Sequence, residues 1–336
     1  MDNLTHTLTA VALSQAGLNR KTRFATLTLV IGVNLPDIDF ISILGGSATC
    51  LKYHRGITHS ILGAAVLATL LGAAVYFRGR KALPKKGAPP LDLRWLMATS
   101  WIALGSHVLM DFTNSYGIRP FLPFSGRWYA WDIMFIIDPL LLVLLAAGLT
   151  LPALFRLVTE EVGAKKTGYR GGAIFALSSM LVLWGIRDLA HRRVLGFLDA
   201  HTYRQEDPLR LGAFPSPVNP FSWTGVVETD SAFHLLAADA LDSDVDSEHT
   251  LIFHKPEATP ALDAATKNRT AEILEDFARF PWANVETTDE GFDVTLQDLR
   301  FTSPATQARA FVADVRLDTN LRVVSESFHF APRERR

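Results

Sequence analysis

The residues best suited to metal chemistry in this chain lie around the segment 54–60, whose sequence is HRGITHS. It places the imidazoles of His54 and His59 on either side of Gly56, at the start of a long apolar run. Imidazole is a common ligand of zinc, manganese and iron. The guanidinium of Arg55 beside them matches the geometry of a phosphate. The segment therefore predicts one part of a metal centre.

Three further segments carry carboxylates or imidazoles at the ends of their own apolar runs. His107 and Asp111 are four residues apart, which on a helix places both side chains on one face, about one turn apart. Asp37 and Asp39 are alternate residues after a proline, so both can face a common centre, and His6 lies near the start of the chain. Each motif alone is also explained by a helix cap or a turn. Together the four segments predict one metal centre with His and Asp ligands.

The longest polar and aromatic loop between the apolar runs adds further candidates. Asn114 and Asp132 could complete the site or orient its histidines through hydrogen bonds. Arg55, Arg119 and Arg127 could bind the oxygens of an anionic substrate, since guanidinium groups pair well with phosphate. For each arginine alone, a contact with a lipid headgroup is an equally good explanation.

Apolar stretches of about membrane length fill the first part of the chain. Of the 336 residues, 49% are hydrophobic, which indicates a membrane protein. Four stretches approach the ~20 residues that a membrane-spanning helix needs: 57–77, 95–110, 133–154 and 171–189. Two shorter runs, 4–18 and 24–35, are expected to form an antiparallel helical pair that leans on the longer spans.

The basic residues of this part predict an orientation in the membrane. Lysine and arginine crowd into three connections, 19–23, 78–94 and 156–170. By the positive-inside rule, all three connections can be cytoplasmic at once. The candidate ligands then all fall on the extracytoplasmic side, which unrelated polar residues would not be expected to do. We therefore predict a multi-pass domain with a metal site at its extracytoplasmic face.

The composition changes near residue 197, after which no segment reaches membrane length. We predict a helical transmembrane domain at 1–196, a proline-rich linker at 197–222 and an extracytoplasmic α+β domain at 223–336. Residues 266–280 have helical spacing of apolar side chains. Three segments alternate apolar and polar residues as half-buried strands do: 292–296, 310–317 and 322–330. The predicted fold class is mainly α, a multi-span helical membrane domain followed by a small α+β soluble domain.

Composition also excludes some functions. The formal net charge of -1 argues against a nucleic-acid partner, which would require a basic face. The single cysteine, Cys50, excludes an internal disulfide framework and a cysteine-based zinc site. Metal ligands must therefore come from histidine and carboxylate side chains, and the expected partners are membrane lipids.

In combination, these motifs resemble those of a known family, the bacterial inner-membrane-bound, metal-dependent hydrolases of the YdjM/YbcI type. The matching pieces, within about the first 190 residues, are 1–7, 34–39, 54–60 and 107–111, with Asn114 and Gly117. The resemblance implies a multi-span protein of the bacterial inner membrane and a hydrolase whose substrate is unsettled. The tail resembles the extra C-terminal domain of some members. The His-x-x-x-Asp element is also similar to one in zinc-dependent phospholipase C enzymes, which favours a phosphorylated lipid as substrate.

The resulting hypothesis is a membrane-embedded hydrolase with a divalent metal, zinc ahead of manganese or iron. Its predicted metal ligands are His6, Asp37, Asp39, His54, His59, His107, Asp111 and Asp132. Asp39 is also predicted to act as a base, Arg55 to steady an anionic group of a lipid or phosphoester substrate, and Asn114 to assist catalysis. The alternative is a non-enzymatic membrane scaffold or binding protein stabilised by the same metal. It predicts variants that misfold rather than lose turnover.

Overall fold

The computed structural model describes residues 1–84, 86–161 and 170–331. The chain divides into two units. The first consists of Met1–Asp39 and Arg55–Asp188, and the second of Phe40–His54 and Leu189–Arg336. The boundary after Asp188 comes earlier than the one expected after residue 196. The second unit also takes in an internal segment, 40–54, which no sequence pattern predicted.

Seven α-helices account for most of the chain up to residue 199. They are α1 (Asn3–Gln15), α2 (Ala25–Gly32), α3 (Ser47–Tyr53), α4 (Ile61–Gly79), α5 (Leu93–Phe112), α6 (Pro139–Glu161) and α7 (Arg170–Asp199). Short 3-10 helices lie between them at Leu18–Arg20, Pro36–Gly45 and Ile57–His59. α3 belongs to the second unit, and the unit boundary falls within α7. Most of the basic connection expected at 156–170, and Lys85 of the one at 78–94, lie outside the described residues.

The helices begin where short polar side chains can accept the free N–H groups of a first turn. Asp2, Ser60 and Asp92 each accept a backbone N–H of the helix that follows, at 3.0 to 3.1 Å. Asp138 caps α6 in the same way at 2.9 Å, and its other oxygen pairs with the guanidinium of Arg187 at 2.6 Å. Neither side chain of this ion pair has exposed surface. These caps fix the ends of the helices, near which the candidate ligands lie.

Small residues allow the helices of the first unit to approach one another closely. α1 packs against α2 and α6, and both α2 and α4 pack against α5. A Cβ atom added at Gly32 would lie 2.6 Å from the Cβ of Ala103, which brings α2 onto α5. A Cβ added at Gly148 of α6 would lie 2.8 Å from the backbone oxygen of Gly172 on α7. A larger side chain at any of these contacts would separate the helices.

Three helical stretches among the described residues are long and apolar enough to cross a membrane. They are Ala25–Gly45, Ile61–Gly79 and Arg170–Asp199. The second and third confirm the spans predicted at 57–77 and 171–189. The first corrects the expectation for 24–35: with the 3-10 helix that follows α2, this stretch reaches 21 residues.

The two remaining expected spans are also helical but are not among these three. α6 begins at Pro139, later than the expected residue 133, and its apolar part covers Pro139–Pro152. α5 covers the expected span 95–110 with 20 residues. Its serine, histidine and aspartate side chains lower its hydropathy, which is why it is not among the three.

The second unit contains two four-stranded antiparallel sheets and short helices. The first sheet has the order β1 (Arg210–Pro215), β2 (Ser222–Glu228), β3 (Ala232–Asp239), β4 (Leu251–His254). The second has the order β5 (Pro281–Thr288), β6 (Gly291–Asp298), β7 (Val312–Asp318), β8 (Val323–His329). Between β4 and β5 the chain forms α8 (Pro260–Thr266) and α9 (Arg269–Phe277), and a 3-10 helix at Leu299–Phe301 follows β6. These elements confirm the predicted fold class, a helical membrane region followed by an α+β region.

The stretch expected to be a linker, 197–222, is part of the fold. It contains the end of α7 and all of β1, which pairs with β2 from Arg210 opposite Glu228 to Pro215 opposite Trp223. Pro208 stands before β1, Pro215 at its end, and Pro217 and Pro220 in the turn after it, where a missing N–H is tolerated. The predicted helix at 266–280 is present as α9, and the three predicted strands are present as β6, β7 and β8.

The internal segment 40–54 contributes to the packing of the second unit. Its helix α3 packs against α9 and β8. Cys50 and Leu51 on α3 are buried, as is Phe277 on α9. The fold of the second unit is therefore completed by residues that precede most of the first unit in sequence.

A carboxylate just before β1 is held by hydrogen bonds to the turn between β2 and β3. Glu206 accepts the backbone N–H of Ser231 at 3.0 Å. That bond and those from the hydroxyls of Thr229 and Ser231 lower the pKa of Glu206 to about 2. The charged form of Glu206 therefore stabilises the folded second unit.

Candidate metal centre

Four ligand side chains converge in the first unit. They are Asp37 from the 3-10 helix at Pro36–Gly45, His59 from the 3-10 helix at Ile57–His59, and His107 and Asp111 from α5. One ligand atom from each lies within 4.8 Å of the other three. Two histidines and two aspartates in this arrangement can hold one divalent metal ion.

The distances between the four ligand atoms describe a small polar centre. The Nε2 atoms of His59 and His107 are 3.0 Å apart. Asp37 Oδ1 lies 3.4 Å from the first of these nitrogens and 3.7 Å from the second. Asp111 Oδ2 lies 3.3 Å and 3.5 Å from them. The two imidazoles and Asp111 have no exposed surface, whereas the side chain of Asp37 is 13% exposed.

Contacts outside this centre orient both imidazoles. His107 Nδ1 lies 2.6 Å from the backbone oxygen of Val33 and donates its hydrogen there. His59 Nδ1 lies 3.0 Å from the Thr58 hydroxyl and 3.1 Å from Asp39 Oδ2. Both rings therefore direct Nε2 toward the centre, where the two nitrogens lie 3.0 Å apart and are placed to bind one metal ion.

Arg55 supports the centre from one side. Its guanidinium donates to Asp111 Oδ1 at 3.0 Å, to Asn114 Oδ1 at 2.8 Å and to the backbone oxygen of Gly117 at 3.4 Å. It also lies over the ring of Tyr116, 4.6 Å from the centroid. The residue is buried, and its backbone is left-handed with φ of 57°. These contacts let Arg55 hold Asp111 in place, and its predicted contact with an anionic group of a substrate stays a prediction.

Asp39 and Asn114, both predicted to be catalytic, also act through neighbours in this structure. Asp39 Oδ2 accepts the backbone N–H of Arg55 at 3.0 Å and the Thr58 hydroxyl at 2.5 Å, and it lies 3.1 Å from His59 Nδ1. Asn114 Oδ1 accepts from the guanidinium of Arg55. Asp39 therefore orients a histidine, and Asn114 orients the arginine that holds Asp111.

His6 lies beside the four ligands without being one of them. Its ring stacks on that of His107, with centroids 4.1 Å apart and planes inclined by 22°. Its Nε2 atom is 3.3 Å from Asp111 Oδ1, and neither ring nitrogen of this buried side chain forms a hydrogen bond. Asp111 Oδ2 is also buried without a hydrogen bond, while Asp111 Oδ1 accepts from the α-amino group of Met1. Buried polar atoms left without hydrogen bonds are the second observation that fits a metal ion here.

Besides His6 and Asp39, two more predicted ligands, His54 and Asp132, are not among the four. His54 is the C-cap residue of α3 and belongs to the second unit. Asp132 is buried in the loop before α6, with a left-handed backbone at φ of 61°. Neither residue follows the helical spacing that fixes His107 and Asp111, so only the fold could place them.

The supporting contacts were missed by sequence reasoning. The Val33 carbonyl could not have been found, because every residue has the same group. Thr58 stands next to His59 in the segment 54–60, and its hydroxyl could have been predicted as a hydrogen-bond partner of that histidine. Tyr116 lies in the polar loop and could have been proposed as an aromatic partner of an arginine.

Comparisons with known proteins match both parts of the chain to family models. Residues 1–193 match the model of the YdjM inner membrane protein family, and residues 260–336 match that of the YfhP C-terminal alpha/beta plait domain. The chain is 24% identical over 342 residues to "Uncharacterized protein YfhP" of Bacillus subtilis (strain 168), covering 97% of this chain and 94% of that protein. No solved structure matches the chain.

The first of these matches covers more than half of the chain and confirms the resemblance to this family. With three helical stretches able to span a bilayer, it makes this a membrane protein that carries a candidate His/Asp metal centre. The protein belongs to the YdjM inner membrane protein family.

Proposed function

We propose that the protein is a membrane-embedded, metal-dependent hydrolase that acts on a phosphoester or another lipid-derived substrate. Asp37, His59, His107 and Asp111 would hold the divalent metal. The observation that carries the proposal is the convergence of two Nε2 atoms, 3.0 Å apart, with two carboxylate oxygens within 3.7 Å of them. Imidazole and carboxylate without thiolate favour zinc at a reactive site, with manganese or iron as alternatives.

The balance of charge supports a bound divalent cation. The side chains of Asp37, Asp39 and Asp111 carry three negative charges, and the guanidinium of Arg55 carries one positive charge. Uncompensated charges in a buried site cost several kcal/mol each. A divalent cation would neutralise the negative charge that these side chains leave.

The chain's own residues would prepare the site for hydrolysis. A divalent cation supplies a Lewis acid and makes water nucleophilic at neutral pH. Asp39 keeps the ring of His59 turned inward, and Arg55 keeps Asp111 in place. Asp37, at 13% exposed, is the ligand that an arriving ester could reach. The burial of the other three ligands excludes bulk water and strengthens the electrostatics of the site.

The same burial favours the alternative, a scaffold in which the metal is structural. Three of the four ligands have no exposed surface, as expected of a closed site. The two functions differ in what metal loss does. A structural metal predicts unfolding when the ion is removed, whereas a catalytic metal predicts a folded protein without turnover.

The first experiment is elemental analysis of the detergent-purified protein, comparing wild type with His107→Ala and Asp111→Asn. The matched control is His249→Ala, an exposed histidine of the second unit. We expect near-stoichiometric metal in the wild type and the control, and loss of metal in the two cluster variants, with all four eluting as folded protein in gel filtration. A well-folded wild type without metal would contradict the metal centre.

The second experiment tests hydrolysis itself. Wild type and His107→Ala are incubated with bis(p-nitrophenyl) phosphate and with mixed phospholipid micelles, and released nitrophenol and phosphorylated products are measured. We expect turnover that a chelator abolishes and that added zinc, manganese or iron restores. Metal-loaded protein that turns over neither substrate, and unfolds when chelated, would favour the scaffold.

We also propose that the C-terminal region and the site face the extracytoplasmic side. Cys50 is buried, so single cysteines can be introduced at exposed positions and labelled in intact cells. We expect a membrane-impermeant reagent to label Ser325→Cys and Ser125→Cys, and to label Ala82→Cys in the basic connection only after the membrane is opened. The reverse pattern would place the site on the cytoplasmic side.

A further inference from the structure

An apolar groove of about 500 Å³ runs between α4 and α5. Ala64 and Ala68 form part of its floor and are buried. Trp101, Leu109 and Phe121 line it with side chains that are 51%, 47% and 47% exposed, so the groove is open along one side. An open apolar groove of this size is costly in water but natural where lipid covers it.

One end of the groove is lined by residues that neighbour the candidate metal ligands in sequence. Ile61, Val108 and Phe112 line the groove, and each is within two residues of a metal ligand in sequence. The backbone N–H of Ile61 donates to the oxygen of Pro120 at 2.9 Å, which ties the start of α4 to the loop at this end. Lining residues of α5 run from 101 to 112, about 16 Å at the rise of an α-helix.

We propose that this groove binds one acyl chain of a phospholipid, with the phosphate toward the loop 118–129. The proposal rests on the proposed function and gives its substrate class. α4 is one of the stretches able to span a bilayer, so the groove opens where acyl chains are the surrounding solvent. The loop carries Arg119 and Arg127 and no acidic residue, which complements an anionic phosphate. A lipid held in this way places its ester bonds at the end of the groove nearest the ligands.

Two glycines provide a test that leaves the helices intact. Gly105 lines the groove, and a Cβ atom added there meets nothing within 4 Å. Gly105→Phe therefore introduces a phenyl ring on the groove side of α5 without a clash at its Cβ atom. Gly185 on α7 is also a helical glycine whose Cβ would meet nothing within 4 Å. Gly185→Phe is the matched control, since it makes the same change of helix propensity outside the groove.

The probe is a phosphatidylglycerol with a photoactivatable diazirine at the end of one palmitoyl-length chain, added to the purified full-length protein in detergent. Crosslinked peptides are then mapped by mass spectrometry. We expect labelling of 61–68 and 101–112 in the wild type and in Gly185→Phe. Burial of apolar surface changes affinity roughly fourfold per methylene group, so a phenyl ring that displaces three of them should weaken labelling roughly 60-fold in Gly105→Phe.

Crosslinking requires neither metal nor turnover, so it is repeated with His107→Ala. Labelling that persists there supports the groove even if no ester is hydrolysed. The acyl-chain site is overturned if wild type and Gly105→Phe are labelled equally. It is also overturned if α7 is labelled as strongly as the groove. Equal labelling by a diacylglycerol with the same diazirine chain overturns the assignment to a phospholipid. Hydrolysis of bis(p-nitrophenyl) phosphate without groove labelling would keep the hydrolase and reject the acyl site.

Discussion

Replacing Arg55 with methionine tests whether this residue positions Asp111 or binds substrate. The guanidinium is buried and donates to Asp111 Oδ1, Asn114 Oδ1 and the oxygen of Gly117. Methionine keeps most of the apolar bulk and the same left-handed backbone, so the change removes mainly the charge and its hydrogen bonds. Removing one partner of a buried ion pair costs about 3–5 kcal/mol. Loss of a group that orients a metal ligand also weakens metal binding about 10–100-fold.

Thermal unfolding and metal titration measure these two effects. At about 2–4 °C per kcal/mol for a unit of this size, Arg55→Met should lower Tm by roughly 10 °C. The Kd of the metal should rise by at least tenfold. Arg55→Lys should be intermediate, because it keeps the charge but cannot form the same forked hydrogen bonds.

The control is Arg94→Met, which changes an exposed arginine at the start of α5. We expect its stability to change by no more than about 0.5 kcal/mol. If Arg55→Met instead kept the Tm and metal affinity of the wild type, and only raised KM for an anionic substrate, Arg55 would bind substrate. The positioning role would then be wrong.

Three further substitutions test other parts of the structure. Arg187→Met should destabilise the protein by about 3–5 kcal/mol in thermal unfolding, because it leaves the buried carboxylate of Asp138 unpaired; adding Asp138→Leu should recover part of that loss, and a further loss would contradict the pairing. Gly148→Leu should reduce stability, because its side chain would collide with the backbone at Gly172. It should also lower the yield of disulfide crosslinks between cysteines introduced on α6 and α7, and an unchanged yield would show that the helices are not in contact. Glu206 has a folded pKa of about 2, below the ordinary 4.5, so its stabilising charge is complete above pH 4.5 and lost toward pH 2; Glu206→Gln should flatten the acid dependence of Tm in that range, and an unchanged profile would contradict the role of the carboxylate.

The helical part of the site could be predicted because helix geometry is regular. His107 and Asp111 share a face at a spacing of four, and α5 places them together as expected. The pair His54 and His59 could not be resolved in the same way. Between them the backbone turns left-handed at Arg55, so His54 ends α3 while His59 enters the next 3-10 helix. Such a turn depends on packing around the arginine, which no spacing rule contains.

Some strands of the second unit could likewise be predicted from the sequence, and others could not. β6 and β7 are buried on one face and alternate in sequence, so their pattern was visible. β3 is buried at nearly every position from Ala232 to Ala238, and a continuous apolar run cannot be distinguished from other buried structure by its period. β1 follows a stretch rich in proline, which suggested a linker. Strand pairing across the sheet outweighs that local signal.

The internal segment 40–54 belongs to the second unit but is covalently flanked on both sides by residues of the first unit. Asp39 immediately precedes it and Arg55 immediately follows it. Asp39 orients His59, and Arg55 holds Asp111, so both ends of the segment carry groups that position metal ligands. Because α3 packs against α9 and β8, folding of the second unit restricts this segment. The order of the metal centre is therefore expected to depend on residues at the far end of the sequence.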